Sequence, residues 1–424
     1  MFSNLQYMYD LKREGVKYDL SIMNSFADYM GHPENDFKSF HITGSNGKGS
    51  VSAFIFNIMR SYGSVGLYTS PHLVRFNERI ILDKKQISDE YINSFIGNLK
   101  GTIEELAKNN RNPTFFEVTT MMAFKFFSEM KAEYGSIEVG LGGRLDATNI
   151  ITPAVSVIAQ VGYEHADKLG CSLSSIATEK AGIIKEGRPV VLQDDKPEVI
   201  SAVKRIATLK HSKLIRLDRS EIRNLITDEN GTSFDFKTEN DEYHLKTKAI
   251  GDYQALNAAT AVLAVENSGI DYNSKAIEKG ISETIWPGRL EILSRNPMVV
   301  IDAAHNPPAA NQMVRSFLRV FKQKPLLVVG MLSDKDSYSY LHILRKISDR
   351  IIFTTPDEKE RAMDPDQLNR LYGHIFSESR AISDPLEALR EAKEESDFVF
   401  VTGSIYLIGI IKGIYTTEVM PFSL

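Results

Sequence analysis

One stretch constrains this chain more than any other: Ser39-Phe-His-Ile-Thr-Gly-Ser-Asn-Gly-Lys-Gly-Ser-Val51. A short apolar run ends at Thr43, and glycines follow at 44, 47 and 49. Val51, Phe54, Ile55, Ile58 and Met59 then recur with the spacing of one helix face. Strand, glycine loop and helix together make a phosphate cradle. Glycines let backbone N–H groups converge on oxyanions, the helix N-terminus adds partial positive charge, and Lys48 supplies a full one. The general P-loop pattern places four residues between its first glycine and the Gly-Lys pair, with Ser or Thr directly after the lysine. Here only Ser45 and Asn46 intervene, and the hydroxyl of Ser50 comes one place late. A lone Gly-Lys-Gly-Ser also suits a plain flexible loop, so the rest of the chain has to decide.

The 424 residues are enough for two or three domains with real cores, and 42% hydrophobic with 25% charged residues is a soluble globular composition. A net charge of −5 gives no global basic field, so nucleic acid is not an expected partner and anionic ligands need local positive sites. The single cysteine, Cys171, excludes an internal disulfide and a cysteine-based zinc cluster, which fits a cytoplasmic location. Residues 1–15 lack a basic-then-apolar targeting pattern. The most apolar C-terminal segment, 406–415, is too short for a membrane span and is broken by Lys412, so no membrane partner is expected.

Apolar periodicity predicts a helical pair over residues 5–31, with Asp19-Leu20-Ser21 as the cap between its members. Strands follow near 64–70, 79–82, 137–140 and 155–161, and helices from Ser88, from Thr114 to about Met130, and over 173–185. Residues 221–248 form a charged β-rich insert with Asn230-Gly231 as its hairpin turn. Helices around 252–268 and 273–284 close this half. Trp286-Pro-Gly and Asn296-Pro297 carry the breakers of a linker, about 287–297. Beyond it strands at 298–301, 326–329, 350–354 and 398–401 alternate with helices. The expected class is α/β: a P-loop ATPase-type mixed-sheet domain over 1–288, then a Rossmann-like doubly wound domain over 289–424.

Ligands of open parallel sheets sit beyond the C-terminal strand ends, where Ser70, Glu138, His165, Asp302, His305 and Asn306 fall. Glu138 is the sharpest of these, because a carboxylate inside Ile-Glu-Val is costly to bury unless paired or bound to a cation. His165 reads first as a core histidine with a satisfied ring, the usual case, because Mg²⁺ prefers oxygen and a histidine beside carboxylate and hydroxyl is an unusual ligand for it. Lys180 reads by default as a solvated helix lysine. Arg289 is either an ion-pair partner in the linker or a group that grips phosphate as two domains close. Asn257 is a weak helix former in an Ala-rich helix, which suits a cap or a ligand. Cys171 has no base beside it and reads as an idle thiol.

Together these segments resemble the folylpolyglutamate synthase/dihydrofolate synthase family, a branch of the Mur-type ATP-dependent amide ligases. The resemblance runs from Thr43 to Gly409. It is carried by Thr43-Gly-Ser-Asn-Gly-Lys-Gly-Ser50, Tyr68-Thr-Ser-Pro-His-Leu-Val-Arg-Phe-Asn-Glu-Arg79 and Glu138-Val-Gly-Leu-Gly-Gly-Arg-Leu-Asp-Ala-Thr-Asn149. Glu179-Lys-Ala-Gly-Ile183, Trp286-Pro-Gly-Arg-Leu-Glu291, Asp302-Ala-Ala-His-Asn-Pro307 and Thr402-Gly-Ser-Ile-Tyr-Leu-Ile-Gly409 extend it. The short phosphate loop is the family's own form. Ser45 stands where Thr is usual, Glu164 where Asp is commoner, and Ala303 replaces a common Gly.

The resemblance implies that a carboxylate of dihydropteroate, or of a folate's terminal glutamate, attacks the ATP γ-phosphate. L-Glutamate then captures the acyl phosphate. It implies that Asn46, Gly47, Lys48, Gly49 and Ser50 hold the ATP phosphates, with Asn257, Arg289 and Asp302 also on the nucleotide. Ser70, Glu138 and His165 would hold Mg²⁺, and Lys180 matches a lysine that relatives carry as a carbamate. His305 and Ser404 are implied for L-glutamate. Asp19, Leu20, Ser21, Thr114, Phe115, Phe116, Glu117, Leu145, Asp146 and Ala147 are implied for the pterin. The family is mostly monomeric. Two rival readings are a nucleotide-dependent switch or binding protein, and another Mur-type amino-acid ligase, which would want a dedicated N-terminal UDP-binding domain.

Overall fold

A computed structural model describes residues 3–11, 19–108, 111–163, 169–356 and 361–418. Its first sheet has eight strands: β1 (Lys38–Thr43), β2 (Val65–Tyr68), β3 (Ile80–Leu82), β4 (Lys85–Gln86), β5 (Tyr134–Glu138), β6 (Val155–Ile158), β7 (Val190–Leu192) and β8 (Leu214–Arg216). Their order is β4-β3-β2-β5-β1-β6-β7-β8, parallel except for the β2–β3 and β3–β4 pairs. The chain leaves β1 toward β2 on one side and, after β5, crosses to β6 on the other. The C-terminal ends of β1, β5 and β6 therefore flank a topological switch point, the place where such sheets bind ligands.

Alternation along β1 sends its side chains to two different layers. Phe40 and Ile42 pack with helices Lys48–Met59, Asp252–Glu266 and Ser274–Glu283. The opposite face carries buried Ser39, His41 and Thr43. Helices Ser21–Met30, Asp89–Lys108 and Phe115–Glu129 build a second core with Tyr68, Ile80 and Ile137. The Met/Phe stripe of Phe115–Glu129 is this core's spine, as its spacing predicts: Met121, Met122, Phe124 and Phe127 are fully buried. The charged insert is an antiparallel sheet of β9 (Ile222–Asp228), β10 (Gly231–Lys237) and β11 (Glu242–Thr247). Its hairpin turns where the sequence places it. Gly231 has φ 134°, and a Cβ there would lie 2.0 Å from the Thr247 carbonyl oxygen.

The second large sheet has strands β12 (Glu291–Arg295), β13 (Met298–Ile301), β14 (Leu326–Val329), β15 (Arg350–Phe353), β16 (Glu378–Ala381) and β17 (Phe398–Thr402). Their order is β12-β13-β17-β14-β15-β16. All pairs are parallel except β12–β13. The α/β class and the doubly wound second sheet are as expected.

Some details differ. The second half of the expected linker is strand β12, because Asn296-Pro297 makes the turn of a hairpin in which Arg295 faces Met298. Helix Pro365–Tyr372 and β16 were not anticipated, although Asp364 followed by Pro365 is a helix-start signal and the Asp364 carboxylate does accept from the Gln367 N–H. The helix expected over 173–185 ends at Ala181. No helix among the described residues is long and apolar enough to cross a membrane.

Candidate active site

The glycine loop joins β1 to helix Lys48–Met59 as the sequence predicts. Gly47 caps that helix with φ 88°, a conformation that disfavours a side chain, and a Cβ there would lie 2.7 Å from Asn257 Oδ1. A Cβ on Gly49 would meet the Trp286 ring at 2.7 Å. Both glycines are thus required by close neighbours from distant sequence. The Gln160 carbonyl accepts from the N–H groups of Ser45 (2.7 Å) and Asn46 (3.2 Å). Ser45 Oγ donates to the Gly162 carbonyl and accepts from the Gly162 N–H, both at 2.9 Å. The serine therefore performs the hydroxyl's work where Thr is usual. Lys48 Nζ lies over the loop, donating to the carbonyls of Gly44 (2.8 Å) and Ser45 (3.4 Å). Ser50 is buried at the start of the helix.

Glu138 ends β5 beside this loop and is 5% exposed. Its Oε2 accepts from the Ser70 N–H at 3.0 Å. Desolvation pushes its pKa up to about 7, against the opposing pull of Lys48, the Ser70 N–H, Arg289 and Arg79. One buried carboxylate thus feels a lysine from the phosphate loop and an arginine from the segment leading into the second sheet. Such a carboxylate, next to a serine, offers the hard oxygen donors that suit a divalent cation, whose charge would keep it ionised. His165, the other expected ligand, lies outside the described residues. Among the described residues no group of three or more His, Cys, Asp or Glu could hold a metal ion.

Lys180 is not a solvated helix lysine: it is 1% exposed. The cause is tertiary. The last turn of helix Leu173–Ala181 docks on the loop after β5, where Arg144 N–H donates to the Glu179 carbonyl at 2.9 Å. A Cβ on Gly143 would lie 2.8 Å from the Lys180 carbonyl oxygen. The same loop carries Leu145, Asp146 and Ala147. Asp146 is buried, and its carboxylate accepts from Leu141 N (2.8 Å), Thr148 N (3.0 Å) and Thr148 Oγ1 (2.5 Å). Burial raises its pKa while these bonds oppose the rise. Behind it, His41 Nε2 lies 2.8 Å from Thr148 Oγ1. The Thr148 hydrogen goes to the carboxylate, so the ring donates. Burial and nearby Lys185 lower the His41 pKa to about 3, which keeps the ring neutral. Sequence reasoning missed this support. The only signal for it was a polar residue inside the apolar run of β1.

Thr114 and Glu117 cap helix Phe115–Glu129 reciprocally: Thr114 N (2.7 Å) and Oγ1 (2.8 Å) donate to Glu117 Oε2, and Glu117 N donates back to Oγ1 at 3.2 Å. Phe115 stacks on Tyr9 at 5.3 Å, with the Arg79 guanidinium 5.2 Å from its centroid. Phe116 tilts against Tyr68 at 6.1 Å and covers Gly140. Phe115, Phe116 and Ala147 pack on one core together with Ile22 of helix Ser21–Met30. At that helix's start the cap position is Leu20, which offers no side-chain cap; the Asp19 carboxylate instead accepts from Ser21 N at 2.8 Å.

On the second-sheet side stand Arg289, Asp302, His305 and Ser404, and Gln312 of helix Pro307–Val320 donates to Gln160 Oε1, next to the carbonyl that holds the loop. Both Asp302 oxygens accept backbone N–H groups, from Leu290 (2.8 Å) and Ala304 (2.7 Å), so this buried carboxylate fixes the turn that carries Arg289. Tyr340 OH links the loops after β13 and β17, donating to the Ala304 carbonyl at 2.7 Å and lying 2.8 Å from Thr402 Oγ1. Ser404 is buried and caps Tyr406 N at 3.2 Å. His305 Nδ1 lies 2.9 Å from the Ala303 carbonyl. A carbonyl only accepts, so Nδ1 carries the hydrogen. Burial, with Lys335, Arg289 and Lys48 nearby, lowers the His305 pKa to about 4 against that hydrogen bond. The ring is therefore neutral at pH 7, with Nε2 as a free-electron-pair acceptor. The charge of Lys48 favours the ionised form of Glu138 and the neutral form of His305.

Comparison with known proteins agrees with this fold. Residues 42–265 match the Mur ligase middle domain, and residues 288–405 match the Mur ligase, glutamate ligase domain. The chain is 34% identical to the dihydrofolate synthase/folylpolyglutamate synthase of Bacillus subtilis, over 94% of this chain and 95% of that one. Its structure is similar to folylpolyglutamate synthase from Thermotoga maritima, with TM-score 0.87 and 34% identity over 98% and 97% of the two chains. It is also similar to the Mycobacterium tuberculosis folylpolyglutamate synthase complexed with ADP, with TM-score 0.91 and 29% identity over 97% and 98%. By fold, by ordered motifs and by identity across nearly its whole length, the chain belongs to the folylpolyglutamate synthase/dihydrofolate synthase family of Mur ligases.

Proposed function

We propose that this chain is an ATP-dependent amide ligase that adds L-glutamate to dihydropteroate, to the γ-carboxylate of a (tetrahydro)folate, or to both, through an acyl phosphate. The observation that carries this reading is buried Glu138 at the end of β5, held by the Ser70 N–H beside the glycine loop, where Lys48 and Arg289 both favour its charged form. Phosphoryl transfer between two anions needs positive charge held in place before the reaction, and here two separated segments supply it. Asn46 to Ser50 hold the ATP phosphates, with Lys48 as the principal charge. Asn257 and Arg289 contact the nucleotide, and Asp302 fixes Arg289 in register. Ser70, Glu138 and His165 would hold Mg²⁺, which would screen the phosphate charge. We assign residues 1–288 to the ATP-binding domain and 289–424 to the glutamate-ligase domain, acting as a cytoplasmic monomer.

In this reading the pteridine acid lies along Asp19 to Ser21, Thr114 to Glu117 and Leu145 to Ala147, with its carboxylate toward the γ-phosphate. The neutral Nε2 of His305 accepts an N–H of L-glutamate, and Ser404 lies beside it. The amine attacks the acyl carbon, the C–N bond forms, and phosphate leaves. An ADP-release assay tests the whole reading. Release should require ATP, Mg²⁺, L-glutamate and a pteridine acid together, and comparing dihydropteroate with tetrahydrofolate shows which acid is used. Release that ignores L-glutamate would favour a nucleotide switch instead.

Two expected results follow from individual residues. Arg289→Ala raises the KM for ATP about tenfold, the loss of one charge-assisted contact; unchanged ATP kinetics would leave Arg289 a structural residue. Lys180 is buried in the last turn of helix Leu173–Ala181, against the loop that follows Glu138, where a carbamate would orient the metal's waters. Lys180→Ala therefore lowers kcat by about a hundredfold or more, as loss of an outer support to a metal does, and added formate or acetate partly restores it. Intact-mass and rescue measurements showing an unmodified, dispensable lysine would remove the carbamate from the account.

A further inference from the structure

Beneath the phosphate loop lies a line of three buried amides that the mechanism above does not use in full. Gln193, Gln254 and Asn257 are 3%, 0% and 3% exposed. Gln193 Nε2 donates to Asn257 Oδ1 at 3.0 Å, and Asn257 Nδ2 donates to Gln254 Oε1 at 3.0 Å. Gln193 is fixed at the end of β7 by its own N–H, which donates to the Ile158 carbonyl at 2.9 Å. Asn257 and Gln254 share one face of helix Asp252–Glu266, three residues apart. The outer atoms of the line, Gln193 Oε1 and Gln254 Nε2, are buried with no hydrogen-bond partner among the described residues.

The polarity of the line decides what Asn257 shows to the loop. Its Oδ1 lies where a Cβ on Gly47 would come within 2.7 Å, so the amide oxygen faces the α-carbon of the loop's central glycine. An oxygen is the better neighbour for a C–H group than an NH₂ would be. With one N–H engaged by Gln254, the second N–H of Asn257 is the hydrogen left for a ligand.

We infer that Gln193 is a positioning residue for the nucleotide: by donating to Asn257 Oδ1 from a fixed point on the sheet, it sets the orientation of the amide that Asn257 presents. The inference rests on the reading that Asn257 contacts ATP. Gln193 touches no reacting atom, so its influence falls on nucleotide affinity rather than on the chemical step. Reversing its polarity reverses the line. A glutamate at this position can only accept, Asn257 then turns its NH₂ toward it, and Gln254 Nε2 donates to the relocated Oδ1.

The test compares Gln193→Met, Gln193→Glu and Asn257→Ala in the ADP-release assay over a range of ATP concentrations, alongside thermal melting of each variant. Gln193→Met keeps the side-chain volume and removes the donor. It should raise the KM for ATP about tenfold, with kcat at saturating ATP within about twofold and an unchanged melting temperature. Gln193→Glu likewise denies Asn257 Oδ1 its donor and should raise the KM for ATP by a similar factor. Asn257→Ala should raise the KM for ATP at least as much as Gln193→Met does. If Asn257→Ala raises that KM and neither Gln193 variant changes it, the positioning role is refuted while the nucleotide contact stands. If Asn257→Ala itself leaves KM for ATP unchanged, the contact is wrong and the inference falls with it.

Discussion

Lys48→Ala lowers kcat/KM of the complete reaction by about a thousandfold or more, equivalent to roughly 4 kcal/mol of transition-state stabilisation. The size follows from what else the loop can offer. Between Gly44 and Ser50 every other residue is neutral, so backbone dipoles alone would face the triphosphate. Removing the side chain should leave the fold intact, because among the described residues Lys48 Nζ donates only to the carbonyls of Gly44 and Ser45, and the helix start is fixed by Gly47 and Val51. ADP release by a variant of unchanged melting temperature is the measurement. Residual activity within about tenfold of the parent would place the phosphates elsewhere.

Glu138→Gln separates function from stability. Turnover should fall about a hundredfold or more, because the amide keeps the acceptor for the Ser70 N–H but loses the charge a cation needs. Stability of the metal-free protein should move the other way. The folded-state pKa of Glu138 is about 7, above the ordinary 4.5, so the folded chain binds this proton more tightly than the unfolded chain. Ionising the group therefore costs the fold nothing below about pH 4.5, progressively more as pH rises to about 7, and a constant amount beyond. A shift of this kind corresponds to about 3 kcal/mol, with 1.36 kcal/mol for each pKa unit. Thermal melting without metal or nucleotide should show Glu138→Gln more stable than the parent at pH 8 and no more stable near pH 4.5. Equal melting at both would show that the carboxylate is already compensated in the empty site.

Much of the active site is legible because it depends on local pattern. The glycine loop announces itself through a strand and a helix on either side. Glu138 stands out because a carboxylate inside an apolar run demands a reason, and the structure supplies one in Lys48, Ser70 and Arg289. The alternation of strands and helices likewise fixes the α/β class. The misreadings share a different cause. Lys180 looks like any helix lysine until the loop at 142–144, far away in sequence, closes over the helix end. His41 supports Asp146 through Thr148, a partner 107 residues distant. Gln193 holds Asn257 across 64 residues. None of these pairings leaves a periodic trace. The linker was overextended for a more local reason: the proline at 297 marks the turn of a hairpin as readily as it marks the end of structured chain.

The account centres on two halves of one molecule bringing positive charge to a triphosphate at the glycine loop while Glu138 holds the cation. A crystal structure with a non-hydrolysable ATP analogue and Mg²⁺ tests this most directly. The prediction is that the β- and γ-phosphates lie over Asn46 to Ser50 within reach of Lys48 and Arg289, and that Glu138 and Ser70 ligate the metal. A nucleotide lodged away from Gly47, or a Glu138 side chain turned into solvent far from any cation, would contradict it.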